Sequence, residues 1–367
     1  MADQLLMTTP QLLAALQGTV LYSHPNGFQG FTSVAIDSRK IQPGALFVAL
    51  PGNQQDGHQY IDAAFSAGAA IVLMQADRVQ TFKDNTILKA KATKGTIIVV
   101  ENTLRALQDA AKSYLEQFPN LIKIGITGSS GKTTVKELTA RIISQERSII
   151  MNEGNLNSET GLPLSVFKVR QEHAVGVFEM GMNRQGEISE LARVLSPHLA
   201  LITNIGSAHI GILGSKDAIA QEKKAIFSQF SGKETALLPE MDSYVNYLKQ
   251  DVAGKVVMYG PRSTVPFGGA RSLGIEGFEI LWDGQPVHLR LPGQHNVINA
   301  IAASAIALEL GVSAESIRKG LASVKPLFGR SEILQGPVTI IQDCYNANPE
   351  SAIAGIHSCD EIPWKGR

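Results

Sequence analysis

The sequence predicts an α/β protein with a small N-terminal α/β domain, a central P-loop ATPase-like domain with a mainly parallel sheet, and the beginning of a C-terminal α/β domain. Three observations carry this expectation. Short apolar runs, "ALFVAL", "AAIVLM" and "TIIVV", share the first hundred residues with the helical segment "YIDAAFSAGAA". From "LIKIGIT" at 121–127 onward, apolar strands alternate regularly with helices, the pattern of a parallel sheet covered on both faces. A glycine-rich turn, "GITGSSGKTTVKE", joins one such strand to an amphipathic helix.

A chain of 367 residues is too long for one compact core, and domains are expected over 1–103, 104–330 and 331–367. "ENTLRALQDAAKSYLEQF" reads as a helix with Leu104, Leu107, Ala110, Ala111 and Leu115 on one face. After the phosphate-loop helix come the strand-like runs "RSIIM", "AVGVFEM" and "LALITNI", then a strand-rich stretch through "FEILWDGQPVHLRLPG" and the helix "NVINAIAASAIALEL". A last strand, "VTIIQD", and a short helical run reach "CDEIPWKGR".

Composition narrows the function classes. Lys+Arg and Asp+Glu both number 33, so the net charge is zero and no general nucleic-acid or membrane surface is expected. An anionic ligand must therefore be held by local features. Cys344 and Cys359 lack metal-ligand spacing and cannot build a disulfide framework, which fits a reducing compartment. "MADQLLMTTPQLLAALQ" has no basic leader or long apolar core, and no window has the length of a membrane span. A cytoplasmic protein is expected.

The turn at 125–137 has the parts of a phosphate-binding loop. Gly128 and Gly131 let backbone N–H groups approach phosphate, with Ser129 between them. Lys132 supplies a point charge, Thr133 a hydroxyl for Mg²⁺, and Thr134 continues the helix. Ile126 occupies the first glycine position of the general pattern.

Other candidates lie at the ends of expected strands, where open α/β sheets place ligands. Glu179 closes "AVGVFEM" and could be a second metal ligand, although such a glutamate is often merely solvated. His209 follows "LALITNI" by a short loop, and Asn155 and Asn157 sit in "NEGNLNSETGLPLS", where a turn is the simpler reading. In "KDAIAQEKKAIFSQF", helical periodicity puts Ile219, Ile226, Phe227 and Phe230 on one face with Lys223 near its middle, while Lys224 lies off the stripe. By periodicity alone, Lys223 is most simply a lysine snorkelling from an apolar edge.

Together these residues resemble the Mur ligase family, ATP-dependent enzymes that add amino acids to the peptidoglycan precursor. The matching segments run from "DSRKIQPGALFVALPGNQQDGHQY" through "GITGSSGKTTVKE", "GNLNSETGLPLS", "EMGMNRQGEI", "ITNIGSAHIGILGS", "EKKAIF", "LPGQHNVINAIAA" and "GRSE" to "DCYNANPES". "YNANP" and "EMGMNRQGEI" favour the dipeptide-adding branch over the branch that acts before it. Gln342 and Cys344 depart from the usual acid and serine around Asp343, and "SAHIG" lacks a glutamate common after the histidine.

The resemblance implies a ligase that joins D-alanyl-D-alanine to UDP-N-acetylmuramoyl-tripeptide through an acyl phosphate. It implies catalytic roles for Lys132, Glu179, His209 and Lys223, with Mg²⁺ near Thr133, Glu179, His209 and Lys223, the last as a carbamate formed with CO₂. By the same match, ATP would also meet Gly128, Ser129, Gly131, Thr134, Asn296, Asn299, Arg330 and Asp343, although Asn296 could equally N-cap a buried helix. The N-terminal domain would bind the UDP-sugar through Ser38, Arg39, Asp56 and His58, which could instead be turn residues, and Asn157 would also face substrate. A monomer is expected. In that family a further domain helps bind the incoming amine, and this chain stops just inside it. The alternative expectation is therefore a chain that binds ATP and the UDP-precursor without completing ligation.

Overall fold

Runs of buried branched side chains organise two separate sheets in the computed structural model, which describes residues 5–52, 55–360 and 362. The chain divides into two compact units, one of residues 1–119 and 154–169, the other of 120–153 and 170–367.

In the first unit the strands are β1 (Thr19–Ser23), β2 (Ser33–Ala35), β3 (Ala45–Val48), β4 (Ile71–Gln75) and β5 (Thr96–Val100), in spatial order β1-β5-β4-β3-β2. All neighbours are parallel except β1, which is antiparallel to β5. Strand β3 and residues 71–74 of β4 are wholly buried, which explains their unbroken apolar sequence. Helix Thr103–Leu115 starts where Asn102 Oδ1 accepts the Arg105 N–H at 2.8 Å. Its apolar stripe, Ala106, Leu107, Ala110, Ala111 and Leu115, packs against β3, β4 and helix Gly161–Val166. Tyr114 Oη donates to the Val169 carbonyl at 2.7 Å. These contacts place the helix in the first unit, and the division falls after Pro119 rather than at 103/104.

The second unit holds six parallel strands: β6 (Ile122–Thr127), β7 (Ile149–Met151), β8 (Val175–Glu179), β9 (Leu199–Ile202), β10 (Thr235–Pro239) and β11 (Lys255–Tyr259). Their order is β11-β10-β9-β6-β8-β7. Val177 lies opposite Ile124, and Leu201 opposite Ile126. Helices Lys132–Ile143 and Gln294–Glu309 pack on one another and on this sheet, sharing a core with Val135, Leu138, Val297 and Ile301. Helix Ala314–Ser323 comes so close that a Cβ on Gly320 would lie 2.4 Å from the Ile142 Cα. The strand-rich stretch forms an antiparallel sheet of β12 (Phe267–Ser272), β13 (Phe278–Trp282) and β14 (Gln285–Leu289), whose Ile280, Trp282 and Leu289 extend the same core. Hairpin β15 (Glu332–Leu334) and β16 (Ile340–Gln342), with helix Pro349–Asp360, also falls in this unit.

Strand β6 carries neighbours on both sides, and the chain changes side between β8 and β9. Such a reversal opens a crevice beyond the carboxyl ends of the strands. The loops after β6, β8 and β9 supply the residues at that crevice.

Candidate phosphate and metal site

The loop after β6 is held open by backbone conformations that side chains resist. Thr127 Oγ1 donates to the Met180 carbonyl at 2.9 Å, tying the end of β6 to the end of β8. Gly128 follows with φ +148°, and a Cβ there would lie 1.8 Å from Thr203 Oγ1. Gly131, with φ +79°, precedes the helix, and its Cβ would meet Asn299 Oδ1 at 2.5 Å. Glycine is therefore required at both corners. The segment after β9 braces the loop: Thr203 Oγ1 donates to the Ser130 carbonyl at 2.6 Å, and Asn204 Oδ1 accepts the Ser130 N–H at 3.1 Å. Ser129 Oγ accepts the Gly206 N–H at 2.8 Å. Lys132 opens the helix and donates its Nζ to the Gly128 carbonyl at 2.9 Å. Burial, then the Arg330 charge, lowers its pKa, while Glu179 opposes the shift. Thr134 is half-buried in the same first turn.

Thr133 Oγ1 donates to Glu179 Oε2 at 2.7 Å, joining the first helical turn to the end of β8. Both residues are buried. Neighbouring oxygens of an octahedral Mg²⁺ shell, with bonds of about 2.1 Å, lie about 3.0 Å apart, so this pair fits one edge of such a shell. Among the described residues no three His, Cys, Asp or Glu side chains converge as a metal cage. An ion here would complete its shell with phosphate oxygens and water, as Mg²⁺ does in nucleotide sites.

The "EKK" triplet divides three ways. Glu222 is buried and accepts the N–H groups of Gly186 at 2.7 Å and Ile188 at 2.9 Å, capping helix Glu187–Leu195 from outside its own sequence. Lys223 is 1% exposed, and its Nζ donates to the Gly128 carbonyl at 2.9 Å. Lys224 reaches the Tyr247 carbonyl at 3.0 Å and lies over that ring. The inward lysine is thus the one in the apolar stripe, and it is fully enclosed rather than snorkelling. Burial, followed by the Lys132 charge, drives its pKa well below the ordinary lysine value, although Glu222 opposes this. His209 is half-buried with φ +67°, and burial, then the Lys223 and Lys132 charges, lowers its pKa. Electrostatics therefore couples His209 to the same pair of lysines that meet at Gly128.

Asn299 flanks Gly131 and donates to Asn296 Oδ1 at 3.1 Å. Gly293 occupies the N-cap position of their helix, so Asn296 is not the cap; it sits inside the first turn and donates to the Pro292 carbonyl at 2.7 Å. The Arg330 guanidinium lies 4.1 Å from the Tyr345 ring centroid, and Asp343 Oδ1 accepts the Ser331 N–H at 3.1 Å. A cavity of about 240 Å³ beside Asp343 is lined in part by Pro292, Ser331, Asn346, Ser358 and Cys359.

The candidates in the first unit behave differently. Both nitrogens of the buried His58 ring are used: Nε2 accepts the Gln75 N–H at 2.9 Å, so Nδ1 carries the proton toward Asp56 Oδ1 at 2.5 Å. Asp56 also meets Arg78 at 2.9 Å. Ser38 and Arg39 form a single 3₁₀ turn capped by Asp37, and the exposed Arg39 guanidinium makes a forked contact with that carboxylate at 2.8 and 2.9 Å. Asn157 is half-buried and donates its N–H to the Asn155 carbonyl at 2.8 Å.

Two further residues contribute, and only the first of them carries a signal in its local sequence. Lys136 lies among Val135, Leu138, Thr139 and Ile142 on the buried helix face, the same anomaly that marked Lys223. Its Nζ donates to the Asn152 carbonyl at 2.7 Å. Asn152 follows β7 directly and bonds the backbone of Glu179, which no local pattern marks.

Comparison with known proteins agrees with this geometry. Residues 30–115 match the catalytic domain of the Mur ligase family, and residues 126–307 the Mur ligase middle domain. The chain is 43% identical over 365 residues to the UDP-N-acetylmuramoyl-tripeptide--D-alanyl-D-alanine ligase of Treponema pallidum, covering 98% of this chain and 77% of that protein. It is 31% identical to the ligase of the same name from Escherichia coli, covering 90% and 72%. A crystal structure of MurF from Acinetobacter baumannii superposes with TM-score 0.84 at 32% identity, covering 96% of this chain and 76% of that one. MurF ligase from Thermotoga maritima in complex with ADP gives 0.76 at 27% identity, covering 91% and 75%. With a phosphate loop, a strand-end acid and an enclosed lysine set on one crevice, and with relatives aligned along nearly all its length, this chain belongs to the Mur ligase family.

Proposed function

We propose that this chain is the ATP-dependent ligase that joins D-alanyl-D-alanine to UDP-N-acetylmuramoyl-tripeptide, a step in making the peptidoglycan precursor. The observation that carries the reading is the meeting of Lys132 and the enclosed Lys223 at one carbonyl, that of Gly128, beside the Thr133–Glu179 pair. A carboxylate resists nucleophilic attack because charge would build on an anion. Phosphorylation by ATP gives an acyl phosphate, and the dipeptide amine displaces phosphate to form the amide. Two anions must meet first, so the site needs positive charge.

The loop N–H groups and Lys132 would hold the phosphates, and Thr133 with Glu179 would hold Mg²⁺, which offsets phosphate charge when bound. His209 would complete the metal side. Lys223, whose ammonium form burial disfavours, would react as the free amine with CO₂ to give a carbamate with loss of one proton, turning the enclosed amine into an anionic oxygen donor. Asn296, Asn299, Arg330 and Asp343 would border adenine, ribose and phosphate, and Ser38, Arg39, Asp56, His58 and Asn157 would serve the UDP-precursor. Of these, His58 would act by holding its loop. The protein would work as a cytoplasmic monomer, and among the described residues no helix is long and apolar enough to cross a membrane.

The test supplies ATP, Mg²⁺, the UDP-linked tripeptide and D-alanyl-D-alanine, then measures phosphate and the UDP-linked pentapeptide. Equal release of both is expected. Phosphate release that ignores the dipeptide, with no pentapeptide, would reject ligation by this chain and leave a nucleotide-binding protein.

A further inference from the structure

We infer that Asn152 is a positioning residue for the metal side of this site, setting Glu179 against Thr133 through a closed ring of contacts. The inference rests on the proposed nucleotide reading and adds a residue to it. The ring begins at Thr133, whose Oγ1 donates to Glu179 Oε2 at 2.7 Å. Glu179 is gripped at both backbone groups by one side chain: its N–H donates to Asn152 Oδ1 at 2.9 Å, and Asn152 Nδ2 donates to its carbonyl at 3.0 Å. The Asn152 carbonyl then accepts from Lys136 Nζ at 2.7 Å. Lys136 lies three residues after Thr133 on the same helix, on the neighbouring turn of one face. The ring closes there.

Each member is withdrawn from water: Asn152 is 0%, Lys136 1%, Glu179 3% and Thr133 9% exposed. Glu179 is the last residue of β8, whose pairing with β6 runs on to the Met180 N–H on the Ile126 carbonyl at 2.8 Å. Pairing with β7 ends earlier, at Val177 opposite Met151, so no ladder holds the Glu179 backbone on that side. Asn152 stands just past β7, the neighbour of β8 on the other side, and replaces the missing ladder bonds with an amide of matching donor and acceptor. An amide can do this with one donor and one acceptor on the same planar group. A carboxylate lacks the donor, and a hydroxyl cannot span both backbone groups in that plane. Lys136 fixes the asparagine from the helix side. The carboxylate is therefore held at a set distance from Thr133 before any ion arrives. Outer contacts that orient a metal ligand commonly change metal affinity or activity by about 10–100-fold when lost.

The experiment measures ATP binding by calorimetry with and without Mg²⁺, on the whole chain. If the unaltered chain shows no Mg²⁺-dependent ATP binding, the nucleotide reading fails and the inference falls with it. If it does, Asn152→Ala is expected to weaken binding with Mg²⁺ about tenfold or more while leaving Mg²⁺-free binding nearly unchanged. Lys136→Met should move the same ratio in the same direction by less, and Asn152→Asp should not restore it. With Glu179→Gln in the background, Asn152→Ala should add little, because its effect passes through that carboxylate. Equal losses with and without Mg²⁺, or full additivity with Glu179→Gln, would overturn the inference. Should Asn152→Ala fail to fold, Lys136→Met and the milder Asn152→Ser carry the same test. An unchanged Mg²⁺ ratio in a folded Asn152→Ser would overturn it equally.

Discussion

The phosphate loop and the "DSR…DGH" region of the first unit are both polar turns beside parallel strands, yet they spend their polar groups differently. At the phosphate loop, lysines from two helices converge on one carbonyl, and burial weakens the charge of each. Perturbed titratable groups of this kind cluster at functional sites. Around His58 both ring nitrogens and the Asp56 carboxylate have partners, within the loop, at the Gln75 strand end and at Arg78. Asp56 is held below its usual range, mainly by hydrogen bonds from His58 working against burial. The first region brings two lysines to one carbonyl, whereas the second pairs His58 and Asp56 locally and leaves Arg39 exposed beside them.

The largest effect that would break this contrast is at Lys132. Lys132→Ala should weaken ATP binding about a hundredfold or more, because a preorganised donor to phosphate is removed from a water-poor site. Calorimetry checks it, and the melting temperature should stay level or rise as a half-buried cation is lost. If ATP binding survives, the loop is merely a helix cap.

Next comes the lysine pair. Lys223→Ala should abolish ligation in any preparation where the unaltered chain is active, and Lys224→Ala should leave at least about half of it, since Lys224 turns away to the Tyr247 carbonyl and ring. Added short carboxylates should restore part of the Lys223→Ala loss if a carbamate is its working form. A reversed pattern, with Lys224 essential, would move the site off the apolar stripe.

His58→Leu tests the other side of the contrast. It leaves the Gln75 N–H and one Asp56 lone pair without their partner, which should cost about 1–3 kcal/mol in denaturant unfolding of the whole chain. ATP affinity should not change. Arg39→Ala should leave stability nearly unchanged, because the side chain is 87% exposed. Any loss of UDP-precursor binding in Arg39→Ala must then come from ligand contact, a distinction His58 cannot offer.

Why some of this was legible and some was not follows from where each signal lies. Lys223 was readable because helical period 3.6 exposes a cation in an apolar stripe, and burial of that stripe is what the structure contains. Lys136 carries the same signal on the helix that "GKTT" opens. Glu179 was readable from its place at a strand end. Asn152 was not, because its role depends on β7 lying next to β8, and strand order is a long-range fact. The helix Thr103–Leu115 was legible as a helix, but its unit was not, since an apolar stripe does not name the sheet it will cover.

The smallest expected effect concerns Glu350, the first-turn acid of helix Pro349–Asp360. Its carboxylate accepts from Ser207 N at 3.0 Å and Ser207 Oγ at 2.6 Å, and it meets Lys216 Nζ at 2.9 Å. It thereby pins that helix to the loop leading to His209 and to the start of the helix bearing Lys223. Chiefly the Ser207 hydroxyl, against burial and with Lys216 assisting, holds its pKa at about 2 rather than 4.5. The sign follows from the depressed value. The contact contributes fully above about pH 4.5, where both folded and unfolded forms are ionised, and the contribution is lost as pH falls from there toward 2. The side chain is 40% exposed, so solvent screens the ion pair and the gain should be under about 1 kcal/mol. Comparing the unaltered chain with Glu350→Gln in urea at pH 7 and at pH 3.5 checks this. The gap in midpoint should narrow at the lower pH, and a gap that widens there would show that the helix is held by its apolar face instead.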